Sequence, residues 1–300
     1  MQAAASPGNA PIGIVGLGLV GRAIAQRLLK AGLTVIGFDV QASARAALGG
    51  MGGEVAASTG EIGRRAGCVL LAVFDTADVL QVLERDAGLL GAEHRITTVI
   101  DCSTGEPVAL AALAARLAQR GIAFIEAPLS GSSQQIAAGD ATQLLGGAAD
   151  AIAACEPVLG LIAQRRIHVG PAGMAARAKL ATNLVLGLNR AVLAEGMVFA
   201  QTLGIAPQTF LELVLATPAR SAAAEVKGPL MVAGEFAPQS RIRQHLKDVD
   251  LMLESARQSG QLLPLSETHA RLMRDAIAAG DGDLDNAAII LQLRRERRPC

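Results

Sequence analysis

The sequence predicts an α/β protein in two parts: a doubly wound, mainly parallel sheet domain, then an all-α C-terminal domain. Three observations predict it. From Ile12 to about Gly170 short apolar runs alternate with helix-patterned segments long enough to serve as crossovers. After Gly170-Pro171-Ala172-Gly173 the strand-like runs give way to helical periodicity. The length of 300 residues is about twice that of a usual single domain, so two cores can form without staples. The expected boundaries are a disordered leader over 1-11, a sheet domain over 12-172 and a helical domain over 173-300.

The strand candidates, in order, are Ile12–Val15, Thr34–Phe38, Val69–Val73, Thr98–Asp101, Ala123–Glu126, Gln143–Leu145 and Arg166–Val169. Most are rich in Val and Ile and stop at Gly, Asp or Pro, as strands buried on both faces do. The helix candidates of the second half are Ala175–Leu203, Pro207–Ala216, Ser221–Val232, Ile242–Ser259, Leu265–Ala279 and Asn286–Arg295, with Gly204, Pro218, Gly234, Pro238, Gly260, Pro264 and Gly280 at the joins. Trp and Tyr are absent and Phe numbers only 6, so the core must be built from Ala, Leu, Val and Ile.

Lys plus Arg equals Asp plus Glu at 27 each, so no global field favours nucleic acid or an anionic membrane. Cys68, Cys102, Cys155 and Cys300 show no metal spacing, which suits reduced thiols in a cytoplasmic protein. The leader lacks a basic segment followed by an apolar one and reads as a tail, not a signal peptide. The most apolar later stretch, Leu180–Asn189, lies between Lys179 and Arg190 and is short of the roughly 20 residues a bilayer span needs, so no membrane association is expected. The Arg294-Arg295-Glu296-Arg297-Arg298 run reads as a solvated helix end.

Gly16-Leu17-Gly18-Leu19-Val20-Gly21 follows the first strand and opens the amphipathic segment Arg22–Lys30, the context that gives a GxGxxG turn meaning as a Rossmann-type phosphate cradle. Gly16 permits the tight turn, Gly18 lets a pyrophosphate approach the backbone, Gly21 allows close packing of helix on strand, and the helix N-terminus offers unpaired N–H groups. Asp39 ends the second strand 23 residues after Gly16, where a carboxylate would bind the adenosine ribose hydroxyls and repel a 2′-phosphate. NAD is therefore expected in preference to NADP; the alternative for Asp39 is a strand-end turn residue. Arg45 falls within the next helix pattern and is a poor phosphate clamp.

Lys179 and Asn183 stand four apart on a predicted helix, so they share a face close to the junction of the two domains. A lysine there can act as general acid to a carbonyl oxygen, or as general base to the alcohol, when burial or a cationic neighbour brings its pKa toward neutral. Asn183 can hold the same hydroxyl without titrating.

Four segments in order carry a resemblance. Besides the glycine turn there are Glu126-Ala127-Pro128-Leu129-Ser130-Gly131, similar to D-A-P-V-S-G; Gly170-x-x-Gly173 followed by Lys179 and Asn183, similar to G-x-x-G-x-G-x-x-x-K-x-x-N-N; and Lys247-Asp248 in a K-D-x-x-L setting. Together they make the sequence resemble the β-hydroxyacid dehydrogenases, the group that includes 3-hydroxyisobutyrate dehydrogenase and tartronate semialdehyde reductase. The resemblance implies hydride transfer between NAD and a small β-hydroxy acid, with Lys179 as acid/base and Asn183 beside it. It implies that Ser130 and Gly131 take the substrate carboxylate, with Ser132 next to them in the substrate-binding segment, and that Lys247, oriented by Asp248, reaches cofactor or substrate. Asp101-Cys102-Ser103-Thr104 with Pro107 resembles D-x-S-T-x-x-P, which brings Thr104 to the nicotinamide ribose, while Val73 and Phe74 would cover the middle of the cofactor; Phe74 reads equally well as core. His168 and His245 read as structural. The long apolar helix Ala175–Leu203 implies a homodimer or higher homo-oligomer.

Two departures stand out. Ser132 replaces the usual second Gly and Gln135-Ile136 the usual G-A, which implies a changed or enlarged substrate, and Thr182 stands where the first Asn of N-N is usual. Two alternatives remain: an imine reductase-like enzyme, which usually carries Asp or Tyr at the position of Lys179, and a nucleotide-binding scaffold without catalysis. Decarboxylating 6-phosphogluconate dehydrogenase is more distant, because its Lys-x-x-His-Asn pattern is Lys179-Leu180-Ala181-Thr182-Asn183 here.

Overall fold

The computed structural model describes residues 10–85, 88–91 and 93–296. Most of the expected leader, the last residues of the arginine-rich run and Cys300 lie outside the described residues. Nine strands are present among them: β1 (Ile12–Val15), β2 (Val35–Phe38), β3 (Glu54–Val55), β4 (Cys68–Leu71), β5 (Thr98–Asp101), β6 (Ala123–Glu126), β7 (Leu129–Ser130), β8 (Thr142–Gly146) and β9 (Arg165–Gly170). Interleaved with them are α1 (Leu19–Lys30), α2 (Ala42–Gly50), α3 (Thr59–Arg65), α4 (Thr76–Glu84), α5 (Pro107–Gln119), α6 (Ser133–Ala138), α7 (Ala149–Ala154) and α8 (Glu156–Ile162). They form one sheet of order β3-β2-β1-β4-β5-β6-β8-β7, with β9 paired to β8. Pairing is parallel from β3 to β6, and β8 runs antiparallel to β6 and β7. The order reverses between β1 and β4, the switch point where open α/β sheets bind ligands.

Alternation along the strands sorts their residues into two cores. Ile14, Leu70, Ile100 and Ile125 pack in one with Ile24 and Leu28 of α1, while their neighbours Val15, Val69, Leu71, Val99 and Phe124 pack in the other with Leu110 and Leu113 of α5. A period of two with both faces apolar is what helix cover on both sides demands. The sequence expectation missed β3 and β7, two-residue strands too short to show a period, and Val73 lies beyond the end of β4.

The remaining elements are helical: α9 (Met174–Thr202), α10 (Pro207–Ala216), α11 (Ala222–Ala233), α12 (Ile242–Gln258), α13 (Pro264–Ala278), a 3-10 turn Asn286–Ala288, and α14 (Ile289–Arg295). Gly234 closes α11 in the left-handed conformation, as a glycine C-cap does. Their core, with Leu193, Met197, Leu211, Met231, Val249, Met273 and Ile290, is aliphatic and rich in methionine. The chain divides into two compact units, 1–179 and 180–300, and the division falls inside α9, beyond the 172/173 boundary expected from the glycine-rich turn. By length and composition alone α9 could cross a membrane, a test that core helices also pass.

Candidate active site

In the first unit the ends of β1, β2, β4 and β5 gather the residues expected at the dinucleotide. Gly16 has φ +89, and a Cβ there would collide with the carbonyl of Ala72; a Cβ on Gly21 would collide with the carbonyl of Gly16. The two glycines are therefore required by the protein itself. At Gly18 a Cβ would meet nothing within 4 Å, so this position is open on the side where α1 presents its first N–H groups. That open approach at a helix N-terminus fits a pyrophosphate. Leu19 and Val20 begin the helix, whereas the Leu17 side chain is fully buried in the core, so only its backbone belongs to the turn. The Leu17 N–H donates to Asp39 Oδ2 at 2.7 Å and the Gln41 N–H to Asp39 Oδ1 at 2.8 Å. Asp39 thus ties the glycine turn to the end of β2. Each carboxylate oxygen accepts one of these backbone bonds, and a carboxylate has about four lone-pair sites, so ribose hydroxyls can still be received. Arg45 donates to the Asp39 carbonyl at 2.6 Å and lies over the Phe38 ring.

Beside the turn, the Val73 N–H donates to Ser103 Oγ at 3.1 Å and the Glu106 N–H to Thr76 Oγ1 at 2.8 Å, which joins the loop carrying Val73 and Phe74 to the loop carrying Thr104. Val73 is close to Gly16. Phe74 is 42 % exposed, which resolves its two readings against core.

The same unit holds Ser130, Gly131, Ser132 and Lys179. Lys179 is 7 % exposed and its Nζ donates to the carbonyl of Leu129 at 2.6 Å, bringing the amine to the residue next to Ser130. Gly131 has φ +153, and a Cβ there would press on Ala141 at 3.0 Å. Ser132 caps α6: its Oγ accepts from the Gln135 N–H, and its own N–H donates to Gln135 Oε1 at 2.8 Å. Two of the residues that depart from the family pattern, Ser132 and Gln135, are therefore partners in one capping box. Sequence reasoning overlooked it, although Ser-x-x-Gln is its signature.

In the second unit, Asn183 Nδ2 donates to Asp248 Oδ2 at 3.1 Å, and Lys247 Nζ lies 3.1 Å from Asp248 Oδ1. All three are largely buried. Asp248 was expected to orient Lys247; it holds Asn183 as well. His245 packs against His269 at 5.4 Å between centroids, and His168 rests on the carbonyls of Gly147 and Gly170, placements in keeping with structural roles.

Glu126, the first residue of the Glu126–Gly131 segment, has a role that its sequence context does not reveal. It is buried and accepts from the N–H of Gly173 at 2.5 Å and of Ala176 at 3.2 Å, at the start of α9. Burial, with Asp101 adding to it, pushes its carboxyl up to about 7 despite those backbone donors. No cluster of His, Cys, Asp or Glu suited to a metal occurs among the described residues.

A doubly wound sheet with a glycine turn at its switch point, and a buried lysine held at the Leu129 carbonyl of β7, fits a nicotinamide-dependent oxidoreductase. Residues 11–170 match the family model described as the NAD binding domain of 6-phosphogluconate dehydrogenase, and 173–293 that described as NAD-binding of NADP-dependent 3-hydroxyisobutyrate dehydrogenase. The chain belongs to the β-hydroxyacid dehydrogenase family. It is similar to L-threonate dehydrogenase of Cupriavidus necator (31 % identity, covering 93 % of this chain and 94 % of the relative). It is also similar to 2-(hydroxymethyl)glutarate dehydrogenase of Eubacterium barkeri (30 % identity, 93 % of each). The crystal structure of 3-hydroxyisobutyrate dehydrogenase from Salmonella typhimurium superposes with a TM-score of 0.84 at 28 % identity, over 94 % of this chain and 99 % of that one.

Proposed function

We propose that the protein is an NAD-preferring dehydrogenase of a small β-hydroxy acid, with Lys179 as its general acid/base. The observation that supports this most directly is the buried Lys179 amine at the Leu129 carbonyl, one residue from Ser130. When bound, the nicotinamide supplies a hydride acceptor, or donor in the reverse direction. Lys179 takes the hydroxyl proton at Nζ as the carbinol carbon becomes a carbonyl, and returns it in reduction. Asn183, whose Nδ2 is committed to Asp248, offers Oδ1 to the same hydroxyl. Ser130 and Gly131 receive the carboxylate, and Lys247 adds positive charge. Thr104, Val73 and Phe74 line the cofactor. Asp39 supports NAD over NADP through its repulsion of a 2′-phosphate.

The relatives named for L-threonate and 2-(hydroxymethyl)glutarate favour an acid larger than 3-hydroxyisobutyrate, in keeping with the changed loop at Ser132 and Gln135. A panel of 3-hydroxyisobutyrate, glycerate, L-threonate and 2-(hydroxymethyl)glutarate, each with NAD and NADP, tests substrate and cofactor together; preference for NADP overturns the reading of Asp39. Lys179→Ala should lower turnover by about 10²–10⁴-fold with NADH affinity nearly intact, and turnover comparable to the parent would sink the mechanism.

The assembly we infer is a homodimer through α9. Val185, Val192 and Phe199 recur every seven residues on this helix and are 57 %, 65 % and 62 % exposed, an apolar stripe of coiled-coil spacing. Light scattering on the parent and on Val192→Glu tests it: a monomeric parent removes the inference. Reduced thiols at Cys68, Cys102 and Cys155 support a cytoplasmic location.

A further inference from the structure

We propose that Glu126 is a positioning residue for Lys179: its carboxylate clamps the first turn of α9 and so sets where the catalytic amine stands. The inference rests on the reading of Lys179 as the acid/base. Helix starts leave N–H groups without intrahelical partners, and a side chain at the N-cap normally takes one of them. Gly173, which precedes α9, has no side chain to offer, and its φ of +93 and the Pro107 carbonyl 2.9 Å from a would-be Cβ keep it glycine. The cap comes instead from the end of β6, 47 residues earlier, where the two oxygens of Glu126 divide the work: Oε2 takes the Gly173 N–H at 2.5 Å and Oε1 the Ala176 N–H at 3.2 Å.

The surroundings are shaped for this contact. Gly146 is the cross-strand partner of Glu126, and a Cβ on it would stand 2.6 Å from Oε2 and 3.0 Å from the Ala175 nitrogen. A side chain at 146 would wedge carboxylate and helix apart. Ala176 and Lys179 are three apart on α9, hence on one face. The segment that supplies Glu126 also supplies Leu129, whose carbonyl receives the Lys179 amine. One short stretch of chain therefore grips α9 at its first turn and holds the amine one turn later. A displacement of the helix start carries Lys179 with it, and misplacement by about 1 Å can cost two orders of magnitude in rate. The facing titratable group is Asp101, opposite Glu126 on β5; β8 contributes none, since Gly146 stands there.

The test compares Glu126→Gln, Glu126→Asp and Gly146→Ala with the parent and Lys179→Ala, using whichever acid of the panel is turned over. Glu126→Gln keeps the shape but not the second strong acceptor. We expect kcat to fall about 10–100-fold, the primary deuterium isotope effect on kcat to rise, and the Kd for NADH, read from nicotinamide fluorescence, to stay within about twofold. Gly146→Ala should reproduce the loss, and Glu126→Asp, which keeps the charge, should recover part of it. Should Glu126→Gln fail to fold, the Asp variant carries the same split between kcat and Kd. A Glu126→Gln enzyme with unchanged kcat, or one whose kcat and NADH affinity fall together, overturns the proposal. If Lys179→Ala is inactive while Glu126→Gln is normal, the clamp alone fails; if Lys179→Ala remains active, both readings fall.

Discussion

Glu126 in the sheet unit and Asp285 in the helical unit are both buried carboxylates that fasten the start of a helical element, yet their partners differ in kind. Asp285 receives Lys227 Nζ on both oxygens at 2.9 Å, together with the N–H groups of Gln239, Ser240 and Ala287. Glu126 receives backbone N–H groups and faces a second carboxylate, Asp101. A buried charge with an opposite charge in hand is a staple; one held by dipoles alone beside a like charge sits close to its own titration. Burial also pulls the Lys227 ammonium down, with Asp285 working against that pull. The helical unit thus uses its polar interior to fix shape, and the sheet unit keeps a proton-sensitive group next to the proposed chemistry.

The largest effect that can break this contrast is on the staple. Lys227→Met takes the ammonium away from both Asp285 oxygens and leaves the buried Arg190 as the nearby opposite charge, and should cost about 3–5 kcal/mol in urea unfolding; a loss below about 1 kcal/mol would mean that Arg190 and the backbone donors suffice. Next comes Gly187→Ala. A Cβ there collides with the His245 ring and comes within 3.1 Å of His269, so about 1–3 kcal/mol should be lost, read as a lower urea midpoint.

Smaller effects come from pH, and the two units should respond in opposite senses. Burial outweighs the N–H donors that favour the ionised clamp, so the pKa of Glu126 rises from 4.5 to about 7 and its ionisation costs the fold: the stability present below pH 4.5 is lost as pH rises through 7. The fold favours neutral His269, whose pKa burial, with Arg190 adding to it, lowers from 6.5 to about 4. That contribution is full above pH 6.5 and is lost as pH falls through 4. Each group gives a slope of up to about 1.4 kcal/mol per pH unit. Glu126→Gln should flatten the neutral limb of the stability profile and leave the acid limb; a neutral limb of unaltered steepness assigns it elsewhere.

The glycine turn, the alternation of strands and helices, and helices such as Pro207–Ala216 were legible because local chemistry dictates them. Glycines forced by φ, Pro at a helix start and apolar periodicity all act within a few residues. What stayed hidden acts across the chain. The clamp from Glu126 to Gly173 and Ala176, and the bond from Asn183 to Asp248, join residues that carry no mark of each other in sequence. The turn itself concealed a division of labour, with Leu17 turned into the core and Gly18 left open. Phe74 could be placed only once its surroundings were known, because an aromatic at a strand end suits core and ligand equally.

The box that joins Ser132 and Gln135 has a thermodynamic consequence for recognition. Its reciprocal bonds fix the loop beside Ser130 and Gly131, the proposed carboxylate site, before any acid arrives, so the ordering entropy falls on folding and not on association. A loop settled in advance selects by fit. Loosening it through Gln135→Gly should therefore weaken binding of a well-matched acid through faster dissociation while leaving its rate of arrival nearly unchanged.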